Sequence, residues 1–193
     1  SEDDTVVVTL GTGVTVTTLA DSTIGTCDTI TLATTSTGDG LTYNWSPATG
    51  LSGTNVEDPV LYGTSLTAGS SNPYIITVTD QYGCSEDDTV VVTLGAAPVV
   101  ATIQDTIIGE CNVSLELTTN VLGDGPFTFG WTPDDGSLND VTLQSPQLIN
   151  PVPGTITYSV TMMDGYGCFA QDQVVIDIQP IPNTGEIYSK TNN

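Results

Sequence analysis

Four cysteines, a dense set of carboxylates and almost no cations define the chemistry open to this chain. Cys27 and Cys84 stand 57 residues apart, as do Cys111 and Cys168, and the sequence has no His. Four separated thiols without a CxxC pair or an imidazole argue against a zinc site. A disulfide framework, and with it an extracellular setting, is the reading that remains. With no His there is no usual partner for a Ser or Cys nucleophile, and with no Arg there is no fork for a phosphate or carboxylate. The single cation, Lys190, lies in a polar tail away from any core strand. Paired carboxylates can hydrolyse glycosides only across a cleft of about 5–10 Å, and small repeated β-modules offer no evident cleft. The expectation is a non-enzyme.

The carboxylates have one further use. Asp80, Glu86, Asp87 and Asp88 flank one turn, and Asp39, inside Gly38-Asp39-Gly40, is expected at the same pole. Calcium takes six to eight oxygens, which makes these five a candidate site, with calcium a possible but not a required ligand. The competing reading is a solvated acidic turn that blunts a strand edge. The second half of the chain keeps Asp124 and Asp164 but has Phe169-Ala170-Gln171 where Ser-Glu-Asp stood, which weakens a repeated site. The overall charge of −22 repels phosphate backbones and anionic lipid, so nucleic acid and bare anionic membranes are poor partner candidates, and neither nucleic-acid binding nor membrane insertion is expected. No run of 18 apolar residues is present, so no membrane-spanning helix is expected. The acidic start is unlike a signal peptide, and we expect either a processed chain or a piece of a longer one.

These residues are positioned by a repeat. SEDDTVVVTLG occurs at residues 1–11 and again at 85–95, and the same offset of 84 carries Cys27 onto Cys111, Cys84 onto Cys168 and Asp21 onto Asp105. The expected modules are residues 12–95 and 96–179. Residues 1–11 then read as the last strand of a preceding repeat, or as a donor strand for a neighbouring molecule. Residues 180–193 read as a linker or tail. Thr supplies 34 of the 193 residues, with Val and Ile beside it, and such β-branched side chains suit a pleated, half-buried surface.

Within the first module, strands are expected at Val14 to Leu19, Ile30 to Thr34, through Leu41, Tyr43 and Trp45, up to Tyr62, from Tyr74 to Asp80, and from Thr89 to Leu94. Alternation turns Tyr43 and Trp45, then Tyr74, Ile76 and Val78, toward one face. The second module replays this with Phe127, Phe129 and Trp131, then Tyr158, Val160 and Met162. About seven short strands per module, broken by Gly and Pro, describe tandem immunoglobulin-like sandwiches arranged head to tail, an all-β fold.

That topology leaves the disulfide pairing open. Bridges within modules would each close a 57-residue loop. Yet Cys27 precedes the second strand and Cys84 follows the sixth, which runs the same way, so the two are expected at opposite poles, beyond the ~7 Å reach of a bridge. A stacked arrangement would instead bring Cys27 to the turn holding Cys168. Free thiols are the third possibility.

Cys27, Tyr43-Asn44-Trp45-Ser46-Pro47, Gly50-Leu51-Ser52, Pro59, Tyr74 to Asp80, Gly83-Cys84 and Asp88-Thr89-Val90-Val91-Val92 resemble the PKD-like and immunoglobulin-like repeats of large secreted surface proteins of Bacteroidota. The second module keeps Gly130-Trp131-Thr132-Pro133 but replaces Gly-Leu-Ser by Gly136-Ser137-Leu138. The resemblance implies export by the type IX system and service as an adhesin, an attachment protein or a surface filament. It also implies O-glycans at Asp-Ser/Thr sites, which here are Thr5, Ser22, Thr29, Thr89 and Thr106. Expected partners are identical chains, in a homo-oligomer or filament. In the alternative, a ligand-binding module, a cell-surface glycan would be gripped near Tyr62, Tyr82 or Tyr166.

Overall fold

A computed structural model of the chain describes residues 4–6, 11, 13–111 and 114–181. The expected opening strand falls mostly outside these residues, as does nearly all of the tail with Lys190. By contact, the chain divides into residues 1–97 together with Tyr166–Cys168, and residues 98–165 together with 169–193.

In the first unit β1 (Thr15–Thr18), β2 (Ser22–Ile24), β3 (Thr29–Thr31), β4 (Thr34–Thr37), β5 (Thr42–Ser46), β6 (Val60–Tyr62), β7 (Ser71–Thr79) and β8 (Ser85–Leu94) follow in order. One sheet runs β2-β8-β7-β5, with β2 parallel to β8 and the other neighbours antiparallel. The opposing layer consists of the pairs β1-β4 and β3-β6. The single strand expected over residues 30–34 is in fact two. At Leu32 and Ala33 the chain leaves β6 for β1: Leu32 N–H donates to the Pro59 carbonyl, and the Ala33 carbonyl accepts from Leu19 N–H. The first expected strand, Val14 to Leu19, is present as β1, and β2 is an additional short strand past Asp21 that pairs in the other sheet.

Strand periodicity explains the core. On β7 and β8 alternate residues Tyr74, Ile76, Val78, Val90 and Val92 are fully buried, and Trp45 and Leu61 close over them. The Trp45 indole N–H donates to the Val56 carbonyl at 3.1 Å, and the Tyr74 hydroxyl to the Thr49 carbonyl at 2.7 Å, so neither polar atom is left unsatisfied. The Tyr43 hydroxyl pairs with Ser36 at the edge of the same core.

The second unit carries β9 (Val99–Thr102), β10 (Thr106–Gly109), β11 (Thr119–Leu122), β12 (Thr128–Thr132), β13 (Gly154–Met163) and β14 (Phe169–Gln179). Its sheets are β10-β14-β13-β12, with β10 parallel to β14, and β11-β9. Tyr158, Val160, Met162, Val174, Ile176 and Trp131 form a core of their own, and Phe129 packs against it. The Trp131 indole donates to the Leu143 carbonyl, matching Trp45. Among the described residues, the counterpart of the β3-β6 pairing is the bridge Glu116↔Gln147. No helix among the described residues is long and apolar enough to cross a membrane.

Candidate functional site: a bridged turn and two carboxylate locks

Between β2 and β3 the chain makes a tight turn, Gly25 to Asp28. The Asp28 carboxylate accepts the Gly25 N–H at 2.9 Å, and the Asp28 carbonyl accepts the N–H of Gly63. Gly63 has to lack a side chain, since a Cβ there would meet the Gly25 carbonyl oxygen at 2.8 Å. Gly25 has the same requirement for a different reason: its Cβ would fall 2.5 Å from the Tyr166 Cβ and 2.9 Å from the Cys168 sulfur. Tyr166–Cys168 thus belong by contact to the first unit although the repeat assigns them to the second module.

At this turn Cys27 is disulfide-bonded to Cys168, with Cα atoms 5.5 Å apart and 141 residues of sequence separation. Cys27 N–H also donates to the Cys168 sulfur at 3.0 Å. Of the pairings left open by the sequence, the staggered one is present. Cys84 and Cys111 correct the expectation of four bridged cysteines: both are free thiols and exposed. The reason is the stagger itself, which joins an early cysteine to the late cysteine of the following module and leaves the remaining late and early cysteines without a counterpart among these 193 residues.

The five acidic residues proposed for calcium are not gathered into a ligand set. Asp80 is buried, and its Oδ1 accepts the N–H groups of Tyr82 and Cys84, which shapes the turn they sit in. Asp88 belongs to the inward-facing series of β8 but lies where the core has ended, and it reaches across to the other sheet. Asp39, Glu86 and Asp87 are exposed. Among the described residues no three His, Cys, Asp or Glu side chains converge on a point.

Asp88 exposes a device the sequence reading missed. Its Oδ2 accepts both the backbone N–H of Thr18, at 2.7 Å, and the Thr18 hydroxyl, tying β8 to β1. Asp172 does the same to Thr102, tying β14 to β9. Asp21 and Asp105 add a second lock each, accepting the N–H groups of Val91 and Val175 at 2.8 Å. Bonds from N–H groups to an ionised carboxylate are stronger than neutral ones. The Thr18 and Thr102 backbone N–H groups accordingly hold the Asp88 and Asp172 carboxyls below the usual carboxylate range. The offset of 84, applied to Asp88, was the available signal.

The proposed glycan acceptors are spread over the surface. Thr5, Thr29 and Thr89 are exposed, whereas Ser22 and Thr106 are half-buried and donate to the carbonyls of Ala20 and Gln104. Tyr62, Tyr82 and Tyr166 keep 42%, 66% and 37% of their surface. A concavity of about 420 Å³ is lined by Ser159, Gln171, Asp172 and Gln173, none of them aromatic.

Comparison with solved structures agrees with the topology. A titin I-band fragment superposes with a TM-score of 0.54 at 11% identity, covering 90% of this chain and 67% of its own. The fold is immunoglobulin-like. An E-to-A variant of a three-domain titin structure matches with a TM-score of 0.50 at 11% identity, over 83% of this chain and 63% of that one. The PKD domain of human KIAA0319 matches 47% of this chain and 88% of its own at 18% identity, with a TM-score of 0.39. No protein-family model matches the sequence, and no curated protein matches it.

Proposed function

We propose that this chain is a non-enzymatic structural segment of an extracellular adhesin or surface filament, whose task is to hold length under tension. The observation that carries this reading is the Cys27–Cys168 bridge, which encloses most of both modules in one covalent loop. A pull on the two ends passes through the sulfur–sulfur bond and bypasses the enclosed strands. The oxidised bridge suits a location outside the cytoplasm. The acidic surface limits unwanted pairing between strand edges. The resemblance to Bacteroidota surface repeats adds type IX export, cell-surface display and O-glycans at the acceptor residues to the same proposal. Imaging the native assembly with an antibody to this chain tests it: labelled threads outside the cell are expected, and label confined to the cell interior would overturn the reading.

A further inference from the structure

The two free thiols are the repeat equivalents of the two bonded sulfurs: Cys84 corresponds to Cys168 and Cys111 to Cys27. Their surroundings correspond as well. Tyr82-Gly83-Cys84 matches Tyr166-Gly167-Cys168, and both turns are built on a glycine of positive φ, 88° at Gly83 and 85° at Gly167. Asp80 shapes the Tyr82-Cys84 turn with its own carboxylate, so the turn is formed without any partner. On the receiving side, Gly109 matches Gly25. Gly25 is buried beneath Tyr166 and Cys168, whereas Gly109 is exposed, and among the described residues a Cβ on it would meet nothing nearer than the Cys111 sulfur at 3.9 Å. Among the described residues, none fills at Gly109 the room that Tyr166 and Cys168 fill at Gly25. Conversely, Cys84 is exposed where Cys168 is 2% exposed, and Tyr82 keeps 66% of its surface even with Gly11 against its ring.

We propose that Cys84 of one copy of this chain bonds Cys111 of a second copy, with Tyr82 seated over Gly109, which repeats between molecules the joint made by Cys27 and Cys168. The surfaces differ on the two sides, so the contact is heterologous and each copy leaves one half free. Such a contact propagates as an open string. The reaction needs a two-electron oxidant, and a small-molecule disulfide supplies it. The Cys111 thiolate attacks that disulfide and expels one small thiol, giving a mixed disulfide. The Cys84 thiolate of the next copy then displaces the second small thiol. One disulfide has been reduced to two thiols, and one has formed between chains. The inference deepens the structural reading above by naming its partner, and it can fail while that reading stands, because the bypass of tension through Cys27–Cys168 needs only one chain.

The test is to incubate the purified 193-residue chain with oxidised glutathione, separate it under non-reducing conditions and map the linked peptides. A ladder in steps of the 20.0 kDa chain, joined by Cys84–Cys111 peptides, is expected. Cys84→Ser and Cys111→Ser each give monomer alone and, when mixed, a dimer and nothing larger. Gly109→Leu suppresses the ladder, although its thiols still react fully with a small alkylating reagent and its melting is unchanged. Monomer throughout, Cys84–Cys84 or Cys111–Cys111 peptides, a ladder that survives in either serine variant, or an undiminished ladder in Gly109→Leu would each overturn the proposal.

Discussion

Breaking the Cys27–Cys168 bond, by reductant or by Cys27→Ser, is expected to convert an inextensible segment into an extensible one. The bond spans 141 residues of sequence. At roughly 3.5 Å of extended chain per residue, that loop hides about 490 Å from an end-to-end pull. The described strands left in line are already extended: β14 lies on the tail side of Cys168, and β1 and β2 lie on the leading side of Cys27. In the chain-entropy model a loop of this size also contributes about 5 kcal/mol by restricting the unfolded chain. The assay is an optical trap holding the chain by thiol-free terminal tags. Oxidised molecules should yield no increments from the enclosed strands, and reduced molecules should yield steps totalling about 490 Å more. Equal total extension in the two states would show that the bridge does not carry the load, and the argument for a tension-bearing segment would go with it.

Four further outcomes follow from the same geometry. Gly25→Val should block the bridge, because its side chain would occupy the space of Tyr166 and Cys168; thiol titration of the unfolded protein should then find four free sulfurs per chain instead of two. Acidification should weaken both modules through Asp88 and Asp172. Their folded pKa values lie below the ordinary carboxylate value, so their stabilisation is complete above that value and is lost as pH falls through the depressed ones. Melting curves from pH 6 to 2 should therefore be flatter for the double variant Asp88→Asn/Asp172→Asn, and an unchanged slope would refute the locks. Trp45→Ala and Trp131→Ala should each cost about 3–5 kcal/mol, read by denaturant unfolding, with the loss confined to the unit whose core is opened. EDTA should leave the melting temperature where it is, since Asp80 and Asp88 are engaged in backbone hydrogen bonds and do not converge on a shared cation.

Some of this protein could be read without coordinates. Alternation on Tyr74, Ile76 and Val78, and on Tyr158, Val160 and Met162, is a local property, because successive side chains of a strand point to opposite faces. All six are fully buried. The split of the expected strand at Leu32 was not legible: it depends on which of two neighbours, β6 or β1, offers hydrogen bonds at that height. That the carboxylates named for calcium do not converge has a related reason. Nearness in sequence placed Asp80 and Asp88 around one turn, but one carboxylate folds back onto its own loop while the other crosses to the facing sheet.

By itself, the sequence determined an all-β chain of two modules in an 84-residue register, because side-chain period and internal repetition are carried by neighbours along the chain. Only the tertiary structure decided which sulfurs meet and which carboxylates become locks. Equal spacings of 57 residues favour no pairing until the turns that bear them are set in space, and the open backbone at Gly25 admits the one sulfur, from Cys168, that lies close enough to bond.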